Sequence, residues 1–422
     1  MNEQAKTPIA LKDSMVLFGM LMFFLNRFMD TSFNLPVGEL FLPLLVMFFA
    51  VREKTLGKFY LAPGFALTCM FLGWILMSNF YHGVSLSSQI RNLLAVSLLF
   101  LPVLLFILVK DRDNLMRYIV GGIVGFGLYF LYMVAIEIPD GTLPRWYRGI
   151  QPTPVIPLLL YVLFRDRLSR PLRIFLLGLT ISSLLITYLI FTRGPLIGVV
   201  AAIGFYGLAR IIVAPRIALP ATLVVGLLGN FLLSIYTGNS FDTVAASAQD
   251  TISNLERAYA IDYTRYVLAT RPWFGDSPQN FAISFADNFA AIMQLTEQRG
   301  DAVETPHNSF LEYSAFFGYP AGVIFLALIF RMTYAPLGNS VVLRSFVAAL
   351  CLAGLLRLAG FYGLSGIWRI EWFTLMFALY YYFYPAWLTG EEIDTKPAIV
   401  PRKPLSKRQK IPVASAPAKR VS

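Results

Sequence analysis

The feature that most limits this chain is a succession of apolar stretches, each close to the roughly 20 residues a helix needs to cross the hydrocarbon of a bilayer. About twelve can be marked, near 14–28, 35–51, 60–80, 90–109, 116–136, 152–164, 172–192, 195–213, 218–236, 307–330, 340–360 and 366–387. Hydrophobic residues make up 57% of the chain and charged ones only 14%, well outside the usual balance of a soluble globular domain. A backbone in hydrocarbon must satisfy its own hydrogen bonds, so each stretch has to be helical. No ten-residue alternation marks a membrane barrel. The expectation is an all-α polytopic membrane protein with about twelve transmembrane helices. The sixth stretch is short and carries Pro152, Pro154 and Pro157, which makes it the least regular.

Charge orients the chain. With a cytoplasmic N-terminus, the inner segments collect 24 of the 35 basic residues, among them Arg52, Lys54, Lys58, Arg165, Arg167, Arg331 and eight in the tail. That is the bias of the positive-inside rule, and twelve spans then leave both termini inside. The other 35 − 24 = 11 basic residues are all arginine, although the chain holds ten lysines. Two readings stay open. Arginine grips phosphate oxygens with a planar fork and tolerates desolvation better than an ammonium, which suits an anion-handling outer face; alternatively, arginine simply outnumbers lysine 25 to 10 overall.

No cleavable signal peptide is expected, because the start is polar and no small-residue cleavage site follows the first apolar stretch. Cys69 and Cys351 fall in apolar stretches and suggest neither a disulfide framework nor a cysteine-based metal site. No internal repeat and no paired broken spans of an inverted-repeat transporter are visible. The expected division is residues 1–237 as nine transmembrane helices, 238–306 as one large outer loop, 307–390 as three more helices, and 391–422 as a disordered basic tail. Attraction of that tail to anionic headgroups is its expected role, with no nucleic acid as partner.

The loop is where chemistry has room. Residues 249–269 place Ile252, Leu255, Tyr259 and Tyr263 or Tyr266 on one helical stripe, with Arg257, Ile261 and Arg265 on a neighbouring face. A second amphipathic stretch, 284–297, carries Phe285, Phe289, Ile292 and Met293 at similar spacing. Such helices can lie in the headgroup plane and roof a cavity among the spans. Between them, Arg271-Pro272-Trp273-Phe274-Gly275-Asp276 reads as a sharp reversal, since proline sets one backbone angle and glycine permits the turn. Trp273 and Phe274 suit an interfacial aromatic anchor, and Arg271 suits either phosphate contact or plain surface.

Thr305-Pro306-His307-Asn308, followed by apolar Ser309 to Phe330, reads as one helix start, with Thr305 as N-cap and Pro306 in the first position. The positive end of the helix dipole disfavours a charged imidazole, so the His307 ring is expected to be neutral near pH 7 and able to accept a proton. A polar surface residue is the alternative. Glu312, five residues on and about 140° round the helix, is not an obvious partner for it. Arg193, between Thr192 and Gly194-Pro195, sits beside another helix start whose free N–H groups favour an anion; snorkelling to the interface is the alternative.

Together these residues resemble a family. Thr192-Arg193-Gly194, Arg265 followed by Arg271-Pro272-Trp273-Phe274-Gly275, and Pro306-His307-Asn308-Ser309-Phe310-Leu311-Glu312 with Gly318 are similar, in order and spacing, to the O-antigen ligase and polymerase superfamily of bacterial envelope glycosyltransferases. The likeness covers about 180 to 330. One departure is that the family often has Gly-x-Gly after the proline, whereas here the run is Gly275-Asp276-Ser277, which leaves the turn's conformation open. The resemblance implies a multi-pass inner-membrane enzyme with a periplasmic site. It would transfer glycan from undecaprenyl pyrophosphate to an acceptor sugar of lipid A-core, with the O-antigen polymerase as the near rival. His307 would then be the base, and Arg193 and Arg265, supported by Arg271 or Arg257, would hold the pyrophosphate. No cofactor, metal or nucleotide is expected. A lipid-linked glycan flippase fits less well, because the outer arginines sit at segment ends rather than at mid-membrane.

Overall fold

The structure is a computed structural model that describes residues 14–15, 18–19, 37–60, 62–108, 120, 124, 127, 131, 155–164, 168–189, 260–288, 309–334, 372, 376 and 380. Among these residues there is helix and no strand. In chain order the elements are α1 Val37–Arg52, α2 Leu56–Phe59, α3 Phe65–Tyr81, α4 Leu86–Leu108, α5 Val155–Phe164, α6 Arg170–Leu189, α7 Pro278–Asn288, α8 Ser309–Phe317 and α9 Tyr319–Tyr334. A further helical stretch covers 260–270.

The apolar stretches near 35–51, 60–80, 90–109, 152–164 and 172–192 fall on α1, α3, α4, α5 and α6. Those near 195–213, 218–236 and 340–360 lie outside the described residues, as do the tail and both chain ends. The count of twelve therefore rests on the sequence alone. Among the described residues no single helix is long and apolar enough to cross a membrane, whereas the two halves of α4, Leu86–Leu94 and Val96–Leu108, bent by 42°, meet the requirement together. The bend has a local cause. Ser97 Oγ donates back to the carbonyls of Leu93 (2.7 Å) and Leu94 (3.1 Å), a pattern that opens the helical ladder, and Pro102 removes another rung one turn later.

Helix α4 packs against α1, α2 and α3; α3 packs also against α8 and α9; α5 pairs with α6. Phe71 of α3 is fully buried, with its ring 5.0 Å from that of Tyr313 in α8 and 6.3 Å from that of Phe325 in α9. Trp372 and Tyr380 are buried as well: the Trp372 indole N–H donates to the Leu99 carbonyl (2.9 Å) and the Tyr380 hydroxyl to that of Met332 (3.2 Å). In a bilayer such rings gain through packing and satisfied polar edges rather than through escape from water.

The structure corrects one expectation outright. The single helix from Thr305 to Phe330 is two helices, α8 and α9, broken at Gly318 (φ +87°) and folded back on each other. In a straight helix Tyr313 and Phe325 would stand about 18 Å apart along the axis; their rings are 4.8 Å apart. Gly322 lies so close to α8 that a Cβ there would come within 2.0 Å of Ser314 Oγ. Thr305 and Pro306, and with them the N-cap reading, lie outside the described residues.

Candidate functional site

The 260–270 helix ends where its sequence requires. Arg271 N–H makes the last helical bond, to Val267 O (2.6 Å), and Pro272 has no N–H with which to continue. The chain then turns through Gly275, whose N–H returns to Arg271 O (3.0 Å) and whose φ of +63° is available to glycine without strain. The expected reversal at Pro272-Gly275 is therefore present.

What the turn docks against was not expected. A helix leaves its last carbonyls and first N–H groups unpaired, and this turn supplies partners at the α8–α9 break. Asp276 N–H donates to Ala315 O (2.9 Å) and Ser277 N–H to Phe316 O (2.9 Å), while Tyr319 N–H, at the start of α9, donates to Pro272 O (2.9 Å). The Phe317 carbonyl is taken by the indole N–H of Trp74 from α3 (2.8 Å). The two backbones are in direct contact at two glycines: a Cβ on Gly275 would lie 2.4 Å from Ala315 O, and one on Gly318 would lie 1.9 Å from Trp273 O.

Charge in the turn centres on Asp276. Its carboxylate is buried, at 2% side-chain exposure, and pairs through Oδ1 with Arg271, which is 52% exposed. The hydroxyl of Tyr263, from the 260–270 helix, donates to the other oxygen at 3.0 Å. A guanidinium carries five N–H donors, so this pairing fixes one edge of Arg271 and leaves donors on its open side for an anion. Because Arg271 is half in solvent, the ion pair itself is worth little, and the buried hydroxyl and carboxylate dominate the energetics. Asp276→Ala, which orphans Tyr263, should destabilise the protein by about 1–2 kcal/mol. Asp276→Asn should cost under about 1 kcal/mol, because an amide still serves both neighbours. Equal losses in thermal unfolding of the two detergent-solubilised variants would contradict this.

Ser277 bears on the missing second glycine. Its φ is +60°, so the chain keeps the left-handed conformation there without a glycine, and its Oγ accepts from Asn280 N–H (3.3 Å) at the start of α7. The strain of that conformation is about 1–2 kcal/mol for a residue with a Cβ, whereas a glycine cap loses only a few tenths. Ser277→Gly should therefore raise stability by about 0.5 kcal/mol or more. Ser277→Ala should lower it by about 1 kcal/mol. Thermal melts of both variants check the opposite signs.

The sequence-derived candidates are scattered by comparison. Arg265 is 49% exposed and paired with Asp262, itself 63% exposed, at 2.9 Å. Arg265 and Arg271 thus each hold a carboxylate of their own and share no described contact. Arg193, Arg257 and His307 lie outside the described residues. Phe274 is not an interfacial anchor: its ring is stacked between Trp74 (5.5 Å, 16°) and Tyr81 (4.8 Å, 25°). Trp273, 66% exposed, keeps that reading.

Sequence reasoning set Glu312 aside, yet it is buried on α8 with Oε2 free of any hydrogen bond. Ser309, Glu312 and Phe316 share one helical stripe, and Phe316 meets Phe281 of α7 edge-on at 5.4 Å. Asp276 and Tyr263 were also missed as a pair; the only signal was an acidic residue five positions after an arginine. Among the described residues no three His, Cys, Asp or Glu side chains converge.

Residues 176–326 match the family model described as O-Antigen ligase. The members of that family are glycosyltransferase-like enzymes integral to the inner membrane. The matched segment, 151 of the 422 residues, is similar to the O-antigen ligase/polymerase superfamily. The match covers Arg193, Arg257, Arg265, Arg271 and His307, and with them the whole turn and the α8–α9 break. No curated protein and no solved structure matches the chain.

Proposed function

We propose that the protein is an O-antigen ligase of the bacterial inner membrane, joining O-antigen carried on undecaprenyl pyrophosphate to a sugar hydroxyl of lipid A-core and so completing lipopolysaccharide. The observation that carries this reading is the family match, which spans all five candidate residues in one segment. The acceptor oxygen attacks the anomeric carbon as the bond to pyrophosphate breaks, which inverts that centre. His307 takes the hydroxyl proton, and undecaprenyl pyrophosphate leaves. Arg193 and Arg265, with Arg271 and Arg257 in support, neutralise the charge that develops on the pyrophosphate. Breaking the carrier bond supplies the driving force, so no nucleotide or metal takes part. Adding a chelator to the purified enzyme should leave its rate unchanged; loss of activity that a divalent cation restores would refute the metal-independent scheme.

Both termini are cytoplasmic and the site is periplasmic in this reading. Packing of α3 supports it. Its His82 end meets the 271–277 turn, assigned here to the outer side, and Gly64 at its other end lies against Leu328 and Met332 near the Arg331 end of α9, assigned here to the inner side.

The His307-Asn308-Ser309-Phe310-Leu311-Glu312 run favours a ligase over a polymerase, which would use the same donor with a lipid-linked repeat as acceptor. Expression of His307→Ala in place of the native protein separates the two. Core-only lipid with long polymer retained on its carrier supports the ligase, and core bearing a single repeat supports the polymerase. A full ladder would remove His307 from the mechanism.

A further inference from the structure

We propose that Ser78 and His82, at the end of α3 and outside the family-matched segment, are positioning residues that set Arg271 for the donor's pyrophosphate. The inference rests on the reading of Arg271 given above and extends it to a part of the chain that the family match does not reach.

Trp74, Ser78, Tyr81 and His82 recur at spacings of four, three and one along α3 and so lie on one side of the helix. All four meet the single residue Phe274 or the carbonyl beside it. Ser78 Oγ–H donates to Phe274 O at 2.7 Å, and His82 Nε2 stands 3.2 Å from the same oxygen. A carbonyl can only accept, so His82 carries its proton on Nε2. The Phe274 ring is held between the Trp74 and Tyr81 rings, and Trp74 N–H caps α8 through Phe317 O.

Phe274 lies between Arg271 and Asp276, so fixing its carbonyl and ring fixes the short arc that holds the guanidinium against its carboxylate. Without the two donors, Phe274 O loses both of its described partners, and the arc keeps the ring stacking on Trp74 and Tyr81, the Tyr263–Asp276 bond and its backbone bonds to α8 and α9. Reaction and binding geometry are sensitive at this scale, since a displacement of about 1 Å can cost on the order of a hundredfold in rate.

A double-mutant cycle on the full-length protein, read as affinity for undecaprenyl pyrophosphate, tests the idea. Ser78→Ala/His82→Ala should weaken binding about tenfold when Arg271 is present and less than about twofold in an Arg271→Ala background, because the two changes act through one element. His82→Gln, which restores an N–H donor, should recover most of the loss seen with His82→Ala. Equal factors in both backgrounds would overturn the proposal. Amide hydrogen exchange gives a second, activity-free measure. Exchange at Gly275, Asp276 and Ser277 should quicken in the double variant, and unchanged exchange also overturns the positioning. An Arg271→Ala protein that binds the carrier lipid like wild type overturns the reading of Arg271 itself, and exchange then decides the positioning alone. Should the double variant fold poorly, His82→Ala, which keeps the Ser78 bond, takes its place in the cycle.

Discussion

Purified protein carrying His307→Ala should transfer glycan on the order of 10²–10⁴-fold more slowly than wild type, the range that a positioned general base contributes. The loss should fall on kcat, with little change in the concentration of carrier-linked donor at half-saturation, since the proton is taken only as the acceptor attacks. An interaction made only in the transition state leaves ground-state binding alone. The arginines should behave differently. Under the proposed assignment, Arg193→Ala or Arg265→Ala removes charge that would hold the pyrophosphate before and during bond cleavage, so KM should rise as kcat falls. Both parameters, measured for the three variants with one donor preparation, decide the assignment. An effect confined to KM would place the histidine in binding, and native kcat with native KM would remove it from the mechanism.

Gly318→Ala should be the most damaging single substitution in the described core, lowering stability by about 3 kcal/mol or more. Two costs combine. The left-handed backbone is worth about 1–2 kcal/mol against a residue with a Cβ, and overpacking a well-filled site adds typically 1–3 kcal/mol. The second cost belongs at the upper end here, because the obstruction is the Trp273 backbone, 1.9 Å from the added carbon, rather than the tip of a mobile side chain. Relief requires the turn to back away from α9, which gives up the Tyr319–Pro272 bond and disturbs the two bonds that cap α8. Lower yield, a lower melting temperature and a short lipopolysaccharide ladder should appear together. A Gly318→Ala protein with wild-type stability would show that the α8–α9 hairpin does not press on the turn.

Much of the helical frame was open to reading from the residues. The apolar runs on α1, α3 and α4 are long, and their few charges, Glu39, Arg52 and Arg91, lie toward the helix ends, so composition alone locates them to within a few residues. The reversal after Arg271 was equally legible, because proline and glycine act on their own backbone. The break at Gly318 was not recognised, since apolar residues continue on both sides and conceal the change of direction. A local signal was present: a glycine two residues before Pro320 is a common pattern for one helix stopping and another starting. For the contacts of α3 with the turn no local signal exists. Ser78 and Phe274 are separated by 196 residues, and neither has a character that names the other. The same holds for Asp276, whose burial against Tyr263 depends on where the 260–270 helix comes to rest.

The stacking of Phe274 on α3 also has a meaning in time. His82 leaves the ribosome 192 residues before its partner, an interval of about 10–40 s at common synthesis rates of ~5–20 residues per second. Throughout that interval the faces of Trp74 and Tyr81 and the donors of Ser78 and His82 have no native occupant. The last third of the chain must therefore find a site that was completed early and kept open. Biogenesis of this protein should be limited by how long α3 can be kept from pairing with something else.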